Sequence, residues 1–463
     1  MSIFNNIYRN SPVYFQNVFV SAYGYYWKHR RYGGNFNNYV KDFKARESLS
    51  VKKWKKYQTI ELRKILVHAF LYVPYYNEKY REAGFSIKDF ESFEMSSLSD
   101  LPYLEKDDLR KFGITKLLAE NKMPGQCYSS SGSTGTPTQI YLSKETHRKW
   151  SALYEARVRN WAGVNFLDAR AMIGGRRVLP TSKMKPPYYR FNSAEKQAYF
   201  SAYHISKETV VDYVNGLILT KSEYLVGYAM SIYLLASYIN QMNLKAPKLR
   251  AVLTSSEKLT MAMRLEIENA FQCKAYDGYS GVEACGLISE NDDGKLLFSP
   301  DSGIMELVDE NGNYVKNGEP GEVIATGFLN YDQPLIRYRI GDTVSLYENQ
   351  DTNSNCHMPI VKEINGRVED VLVGVKGQKM VRFHGIFVDI PSIKMAQIVQ
   401  HRINLIEIKL VTNSCYHKKH EKVMIDRIQS QLGKINVKFT YINEIERTKN
   451  GKFRAVISML HEE

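Results

Sequence analysis

Cysteine is scarce in this chain. Its 463 residues include five, Cys127, Cys273, Cys285, Cys356 and Cys415, an odd number with no Cys-x-x-Cys pair. That pattern excludes a disulfide framework and a structural zinc site, and it suits a reducing cytoplasm. Long hydrophobic runs are missing too: no stretch approaches the roughly 18 apolar residues that cross a bilayer. The opening "MSIFNNIYRNSPVYFQNVFVSAYGYYWKHRR" has no basic segment ahead of a long apolar run. Neither a transmembrane helix nor a signal peptide is therefore expected. Helix-turn-helix, zinc-finger and RNP patterns are absent, so the charge excess does not point to nucleic acid. Internal repeats and low-complexity tracts are absent as well.

What is present is a chain with 44% apolar residues, able to bury a large core and long enough for a main domain plus a smaller one. The net charge of +14 is uneven, with eleven lysines and arginines against two acidic residues between Met1 and Lys56. Aromatics from Tyr14 to Trp27 are interleaved with it. The simpler expectation is that these rings pack on the main domain while Lys and Arg stay solvated. The alternative is an interfacial segment on anionic lipid, which would place the protein peripherally at the inner face of the membrane.

From Val51 to Gly84 apolar residues recur at helical spacing, with stops at Pro74 and Gly84, and "LSDLPYLEKDDLRKFG" reads as a loop entering a helix, with Ser99 or Asp100 at the cap or turn. Strand-like "ARAMIGG", "SEYLVGY", "LRAVLTSS" and "CKAYDGYS" then alternate with helix-like "KETVVDYVNGLILT", "SIYLLASYINQM" and "MAMRLEIENAF", the signature of an α/β core. Between Leu296 and Ser345 short strands with turns at "DENGN", "NGEPGE" and "RIGD" predict an antiparallel subdomain. Beyond Gly366 about 100 residues of mixed strand and helix, including a helical "PSIKMAQIVQHRI", suit a small α+β domain.

The segment "CYSSSGSTGTPTQIYLS" gathers hydroxyls around two glycines and a proline. It is a loop, because Gly and Pro break helices and Ser and Thr compete for backbone bonds. Such loops suit polyphosphate, since N–H groups approach closely and hydroxyls add donors without bulk. The Walker pattern does not fit: Gly132 and Gly135 are too close, and Thr136-Pro137 stands where Lys-Ser/Thr is required.

The order of that loop resembles the phosphate loop of the adenylate-forming superfamily, which contains acyl-CoA synthetases, nonribosomal-peptide adenylation domains and luciferases. Ser130, Ser131, Gly132, Ser133, Thr134, Gly135, Thr136 and Pro137 match, whereas Thr138 replaces the usual lysine. Further motifs follow in the family's order. "YSGVE" resembles the adenine and metal motif, implying Tyr279 on the base and Glu283 as a Mg²⁺ ligand, with Ser280 and Val282 departing from the pattern. "PLIRYRIGD" implies Asp342 on the ribose hydroxyls, while Arg337 and Arg339 are free to pair with nearby acids. "NGRVEDVLVGVKG" implies Arg367 near ribose or phosphate and a hinge at Glu369 or Asp370. "ERTKNGKFRAV" implies Lys452 as the mobile catalytic lysine, with Lys449 beside it.

"SDLPYLEKDDLR", "VLTSSEKL", "GLISE" and "VRFHGIF" are similar to the phenylacetate–CoA-ligase-like branch, especially its CapK-type members associated with capsule or O-antigen synthesis. The resemblance implies an α/β fold with a large multi-subdomain N-terminal adenylation domain, residues 1–366, and a small mobile α+β C-terminal domain, residues 367–463. It also implies Mg²⁺ and ATP, a small carboxylic acid activated as acyl-adenylate, and transfer to CoA or to an amino sugar or saccharide acceptor. Tyr228, Ser256, Tyr276 and Gly281 are expected at the acyl pocket, and His204 is either a polar group there or a structural histidine. Two other readings are a CoA-independent amide or ester ligase acting on a sugar and, since Thr138, Ser280 and Val282 depart from the motifs, a degenerate nucleotide-binding scaffold.

Overall fold

The computed structural model describes residues 7, 8, 10–129, 138–174, 185–202, 204–350, 356–367, 372–375, 379–380, 384–387, 390, 392–446 and 454–460. The chain opens with helices α1 (Val13–Tyr32), α2 (Phe36–Ala45), α3 (Val51–Tyr72) and α4 (Pro74–Glu82). The stops expected at Pro74 and Gly84 are both present, since α3 ends at Tyr72 and α4 at Glu82. Pro74 itself occupies the first turn of α4, where its missing N–H costs nothing. Helix α5 (Lys106–Phe112) starts after Glu105 without a side-chain cap, and of the two roles expected for Ser99 and Asp100, cap or turn, they take the turn, in a preceding 3₁₀ element.

A β hairpin, β1 (Gly125–Ser129) with β2 (Gln139–Ser143), leads into α6 (Lys144–Tyr154), whose N-terminus is capped by the Ser143 hydroxyl accepting from the Thr146 N–H. Sheet I follows: β3 (Arg170–Gly174), β4 (Tyr189–Asn192), β5 (Gln197–Ser201), β6 (Tyr224–Tyr228), β7 (Ala251–Ser255) and β8 (Lys274–Tyr276). Its order is β4-β5-β3-β6-β7-β8, parallel except for β4. Helices α7 (Val210–Leu219), α8 (Ala229–Gln241) and α9 (Met261–Phe271) alternate with its strands as the pattern of apolar runs predicts.

Side chains alternate across the sheet by the two-residue strand period. Leu225, Val252 and Ala275 face Tyr213, Leu235 and Ile267 of α7–α9, whereas Tyr224, Ala251 and Leu253 face Phe36 of α2 and Leu153 of α6. Gly227 lets β6 close on β3, because a Cβ there would lie 1.9 Å from the Ile173 carbonyl oxygen.

Sheet II is antiparallel and runs β12-β13-β14-β15-β11-β10-β9. Its strands are β9 (Gly278–Ser280), β10 (Leu287–Glu290), β11 (Leu296–Phe298), β12 (Gly303–Val308), β13 (Pro320–Gly327), β14 (Tyr338–Leu346) and β15 (Ile360–Arg367). "RIGD" is not a turn but part of β14. Gly341 takes φ +80° there, and the register with β15 slips nearby, between Thr343 and Val344. The strand therefore bends without ending.

After the two-residue strands β16 (Leu372–Val373) and β17 (Lys379–Met380), β18 (Ile393–Arg402), β19 (Leu405–Thr412), β20 (Asn436–Tyr441) and β21 (Val456–Ser458) form sheet III in the order β20-β19-β18-β21. Helix α10 (Lys419–Leu432) covers it with Met424, Ile428 and Leu432 against Ile398, Ile406 and Ile408. The expected helix in "PSIKMAQIVQHRI" is instead strand β18. Its apolar positions fit either period, and ten residues paired on both sides by β19 and β21 decide for strand.

Arg337 ties the helical N-terminal region to sheet II. Its guanidinium grips Glu306 in two hydrogen bonds of 3.1 and 3.0 Å, donates to the Ser99 carbonyl at 2.8 Å and lies 4.3 Å over the Tyr103 ring. Both charged partners are buried. Replacing Arg337 by Met leaves Glu306 buried without its cation and is expected to destabilise the fold by about 3–5 kcal/mol. Thermal unfolding checks this, with the Arg337→Met/Glu306→Leu double variant expected to regain most of the loss.

Candidate active site

Sheets I and II meet where β8 ends and β9 begins, at Asp277. The Asp277 N–H donates to Glu290 Oε2 at 2.8 Å, and Glu290 also takes Arg264 at 2.7 Å. The Asp277 carboxylate accepts from the Gly278 N–H at 2.9 Å and from the Thr254 hydroxyl at 3.4 Å. Burial pushes the Asp277 carboxyl up to about 7, with Glu290 adding to the rise, while the Gly278 N–H, Arg264 and Thr254 oppose it.

Just beyond this junction Tyr279 donates its phenol proton to Asp342 Oδ2 at 2.5 Å. The two strands stand four steps apart in sheet II, about 19 Å in a flat sheet at ~4.8 Å per strand. The contact requires the sheet to curl around its core of Ile288, Phe298, Val344 and Val361. Burial, then the Asp342 carboxylate, then Cys285 and Glu283 hold the Tyr279 phenol well above its ordinary value, so it stays a neutral donor. Tyr338, fully buried, is pushed the same way by burial and by Glu283, Cys285 and Asp342. Tyr279, Glu283, Tyr338 and Asp342 thus share one cluster.

Glu283 follows the turn that begins at Gly281, and its carboxylate folds back over that residue. A Cβ on Gly281 would lie 2.2 Å from Glu283 Oε2, so the glycine expected at the acyl pocket acts first as room for the carboxylate. Among the described residues no cluster of three or more His, Cys, Asp or Glu could hold a metal. A single hard carboxylate fits Mg²⁺, which keeps most of its shell as water and phosphate oxygen, and not an all-protein metal cage.

Asp342 faces Arg367 as a register pair of β14 and β15. Lys106, at the start of α5, brings its Nζ to 3.9 Å from where a Gly341 Cβ would stand. Nothing in the local sequence "EKDDLR" singles out Lys106. Only the pairing of Leu104 with the start of β14, through Leu104 N–H to Arg337 O and Arg339 N–H to Leu104 O, carries it there.

The hydroxyl loop lies outside the described residues from Ser130 to Pro137, as do Glu369, Asp370, Lys449 and Lys452. Arg367 is described in its backbone alone. The loop's anchors are clear. Ser129 and Gln139 face each other in the hairpin. Gln333 then clamps β2, accepting from the Tyr141 N–H at 2.7 Å and donating to the Gln139 carbonyl at 3.3 Å. Asp332 accepts from the Thr146 hydroxyl and the Met123 N–H. Thr138 is buried at 2% exposure, an environment that accepts a hydroxyl far more readily than an ammonium.

The other residues expected at the acyl pocket lie along the carboxyl edge of sheet I. Tyr228 ends β6, and Glu257 Oε2 accepts the Met230 N–H at the start of α8 at 2.9 Å. Ser256 is exposed with φ +68°. Tyr276 packs against the cluster containing Tyr224 and Leu253, with Lys274 Nζ 5.0 Å from its ring.

Residues 372–459 match the CapK C-terminal domain family. The chain is 28% identical to Protein CapK of Staphylococcus aureus over 467 residues, 98% of this chain and 99% of that protein. It is 26% identical to phenylacetate-coenzyme A ligase of Escherichia coli K12 over 346 residues, 71% of this chain and 74% of the enzyme. Its fold matches 2-hydroxyisobutyryl-CoA ligase in the postadenylation state in complex with R3-HIB-AMP, with TM-score 0.69, 17% identity and 90% and 92% of the two chains covered.

The raised Asp277 carboxyl sets a pH signature. The folded protein holds that proton to about pH 7, whereas the unfolded chain releases it near 4, so the stability contribution is complete below 4 and is lost as pH rises through 7. Asp277→Asn is expected to flatten the fall in melting temperature between pH 5 and 8, an effect of order 2 kcal/mol.

Proposed function

We propose that this chain, like the phenylacetate–CoA-ligase-like and CapK-type proteins it resembles, is an adenylate-forming ligase that activates a small carboxylic acid with ATP and passes the acyl group to CoA or to a sugar acceptor in the making of a capsule or O-antigen polysaccharide. In the first half the acid's carboxylate oxygen attacks the α-phosphorus of ATP, the bond to the β-phosphate oxygen breaks and pyrophosphate leaves. In the second half the acceptor's sulfur, nitrogen or oxygen attacks the acyl carbonyl, AMP leaves with the electron pair of the mixed anhydride, and the acceptor gives up its proton. A carboxylate is a poor electrophile, and AMP supplies the leaving group it lacks.

The observation that carries this reading is the convergence of Tyr279 and Asp342 with Glu283 beside them. A carboxylate with two oxygens accepts both ribose hydroxyls, and Tyr279 offers its ring to adenine while its phenol holds Asp342 in place. Arg367, opposite Asp342 in the register, is assigned to ribose or phosphate. Ser130, Ser131, Gly132, Ser133, Thr134, Gly135 and Thr136 are assigned to the phosphates, Glu283 to Mg²⁺, and Lys452 to the charge that develops on the reacting oxygens. Mg²⁺, when bound, would neutralise phosphate charge. The division at residues 366 and 367 falls at the end of β15, and Glu369 and Asp370 just beyond it are the proposed hinge for a C-terminal unit that exchanges Lys452 for the acceptor-binding face.

ATP–pyrophosphate exchange with a panel of acids is the direct test. One acid or a narrow class is expected to support exchange. Lys452→Ala is expected to lower it at least 100-fold with ATP binding retained, since an electrostatic stabiliser of this kind contributes several kcal/mol. ATP binding without exchange by any acid would overturn adenylation. Product analysis with CoA against amino sugars then decides the acceptor.

Peripheral membrane contact is a second part of the proposal, and it rests on α1. The expected arrangement holds there only in part: Trp27 packs edge-on to Tyr128 and His147, but Arg30 is buried and donates to the Leu142 carbonyl at 2.8 Å, and Arg31 pairs with Glu195. Burial, with Arg31 and Arg30, pushes His147 down to about 3, which keeps its ring neutral beside Arg30. The outward face carries Tyr14, Phe15, Val18, Ala22, Tyr25 and His29, with Tyr14 and Tyr25 above 70% exposed, and no Lys, Arg, Asp or Glu. No helix among the described residues is long and apolar enough to cross a membrane, so contact would be interfacial. Replacing Tyr14, Phe15 and Tyr25 by Ser is expected to cut sedimentation with anionic vesicles several-fold and leave exchange activity unchanged, and equal partitioning of both proteins would end this part of the reading.

A further inference from the structure

The strand order of sheet I reverses at β3, with β5 and β4 on one side and β6, β7 and β8 on the other. Ligands of open α/β sheets lie outside the carboxyl ends of the strands at such a reversal. The register gives the order of residues along this edge. Ser201 pairs with Gly174, Gly227 pairs with Ile173, Tyr228 pairs with Ser255, and Tyr276 pairs with Leu253. At ~4.8 Å per strand, Ser201 is about 10 Å from Tyr228 and about 19 Å from the start of β9. On the adenylation reading, with the base at Tyr279, an acyl group following this edge past Tyr228 would run toward Ser201.

A built polar group stands at that far end. His204 is only 7% exposed, its Nδ1 lies 2.7 Å from Ser201 Oγ, and its ring stacks on Tyr188 with centroids 5.5 Å apart. Tyr188 stacks in turn on Tyr213, whose hydroxyl donates to the Ser201 carbonyl at 2.6 Å, and the Thr209 hydroxyl donates to the His204 carbonyl at 2.5 Å. Ring position and backbone are therefore both held. Nε2 makes no hydrogen bond to a described residue, yet it is not among the polar atoms sealed from solvent. Burial holds the ring below its ordinary value, so at neutral pH it is uncharged, one nitrogen donating and the other accepting. A ligand that displaced solvent from Nε2 without pairing it would leave a polar atom unsatisfied, which costs free energy.

We infer that His204, oriented by Ser201, lines the distal end of the acyl pocket and selects a carboxylic acid bearing a hydrogen-bonding substituent, a hydroxyl, amine or carbonyl, over a plain aryl or alkyl acid. This rests on the adenylation reading and adds the class of acid to it. A site that pairs such a substituent rejects the analogue lacking it by leaving its own polar atom unpaired.

The test is ATP–pyrophosphate exchange by the full chain with matched acids that differ only by a substituent against hydrogen. The wild type is expected to favour the substituted acid at least 10-fold in kcat/KM. His204→Phe, which retains the stacking surface, is expected to erase or invert that preference through the KM for the acid, with the KM for ATP unchanged. His204→Gln, which keeps an N–H, is expected to restore part of it, and Ser201→Ala, which frees the ring, to fall between. If His204→Phe does not fold, His204→Gln and Ser201→Ala decide by the same ratio. Exchange of plain acids with equal or better efficiency by the wild type, or an unaltered ratio in the variants, overturns the inference and leaves adenylation standing. Absence of exchange with every acid overturns both.

Discussion

The hydrogen bond from Tyr279 to Asp342 joins two strands that a flat sheet would hold about 19 Å apart, so it exists only because sheet II curls. That curl is enforced from inside by branched and aromatic side chains of five different strands, Ile288, Phe298, Val323, Val344 and Val361 among them. It is permitted at the rim by the bulged register of β14 and by Gly341 at φ +80°. A sheet closed this way turns a carboxylate on β14 and a phenol on β9 into one site, with Glu283 on the turn that follows. The site is a consequence of sheet curvature before it is a consequence of any loop.

The same short stretch of chain that enters β14 also organises what precedes it. Asn330, Asp332 and Gln333 hold the β1–β2 hairpin through side-chain hydrogen bonds to its backbone and to Thr146, and Arg337 grips the loop before α5. Eight residues from Asn330 to Arg337 thus position the base of the hydroxyl loop, the approach of Lys106 and the entry to Asp342. Buried polar groups of this kind specify an arrangement because each is costly when left unpaired. Asp277 does the corresponding work between sheets I and II, at the expense of a carboxyl that prefers its proton.

Charge is distributed differently from its count. The N-terminal segment carries a large excess of lysine and arginine, but Arg30 and Arg31 are consumed in holding α1 onto β2, α6 and the Glu195 turn. Of the aromatic residues that composition assigns to packing, Trp27 does pack, whereas Tyr14, Phe15, Tyr23, Tyr25 and Tyr26 are exposed. A guanidinium with five donors can satisfy several carbonyls and carboxylates at once, which makes it suited to an interior junction despite its charge. The surface character of α1 follows from which side of the helix those arginines claim.

Motif order and the alternation of strand and helix were legible in the sequence, because each rests on local chemistry: glycine and hydroxyl content for a loop, periods of 2 and 3.6 for elements. Where two periods fit one run, as in Ile393–Arg402, local pattern had no means of choosing, and pairing with β19 and β21 chose strand. The "RIGD" segment looked like a turn because Gly and Asp favour turns, yet cross-strand bonds keep it in β14. Composition and spacing alone specify the motif order and the chemical types on offer, hydroxyls, carboxylates and a phenol. Only the tertiary structure decided that Tyr279 reaches Asp342, that Lys106 arrives beside Gly341 and that His204 stands at the far end of the strand edge, since each depends on contacts between residues distant along the chain whose approach is set by sheet curvature and packing.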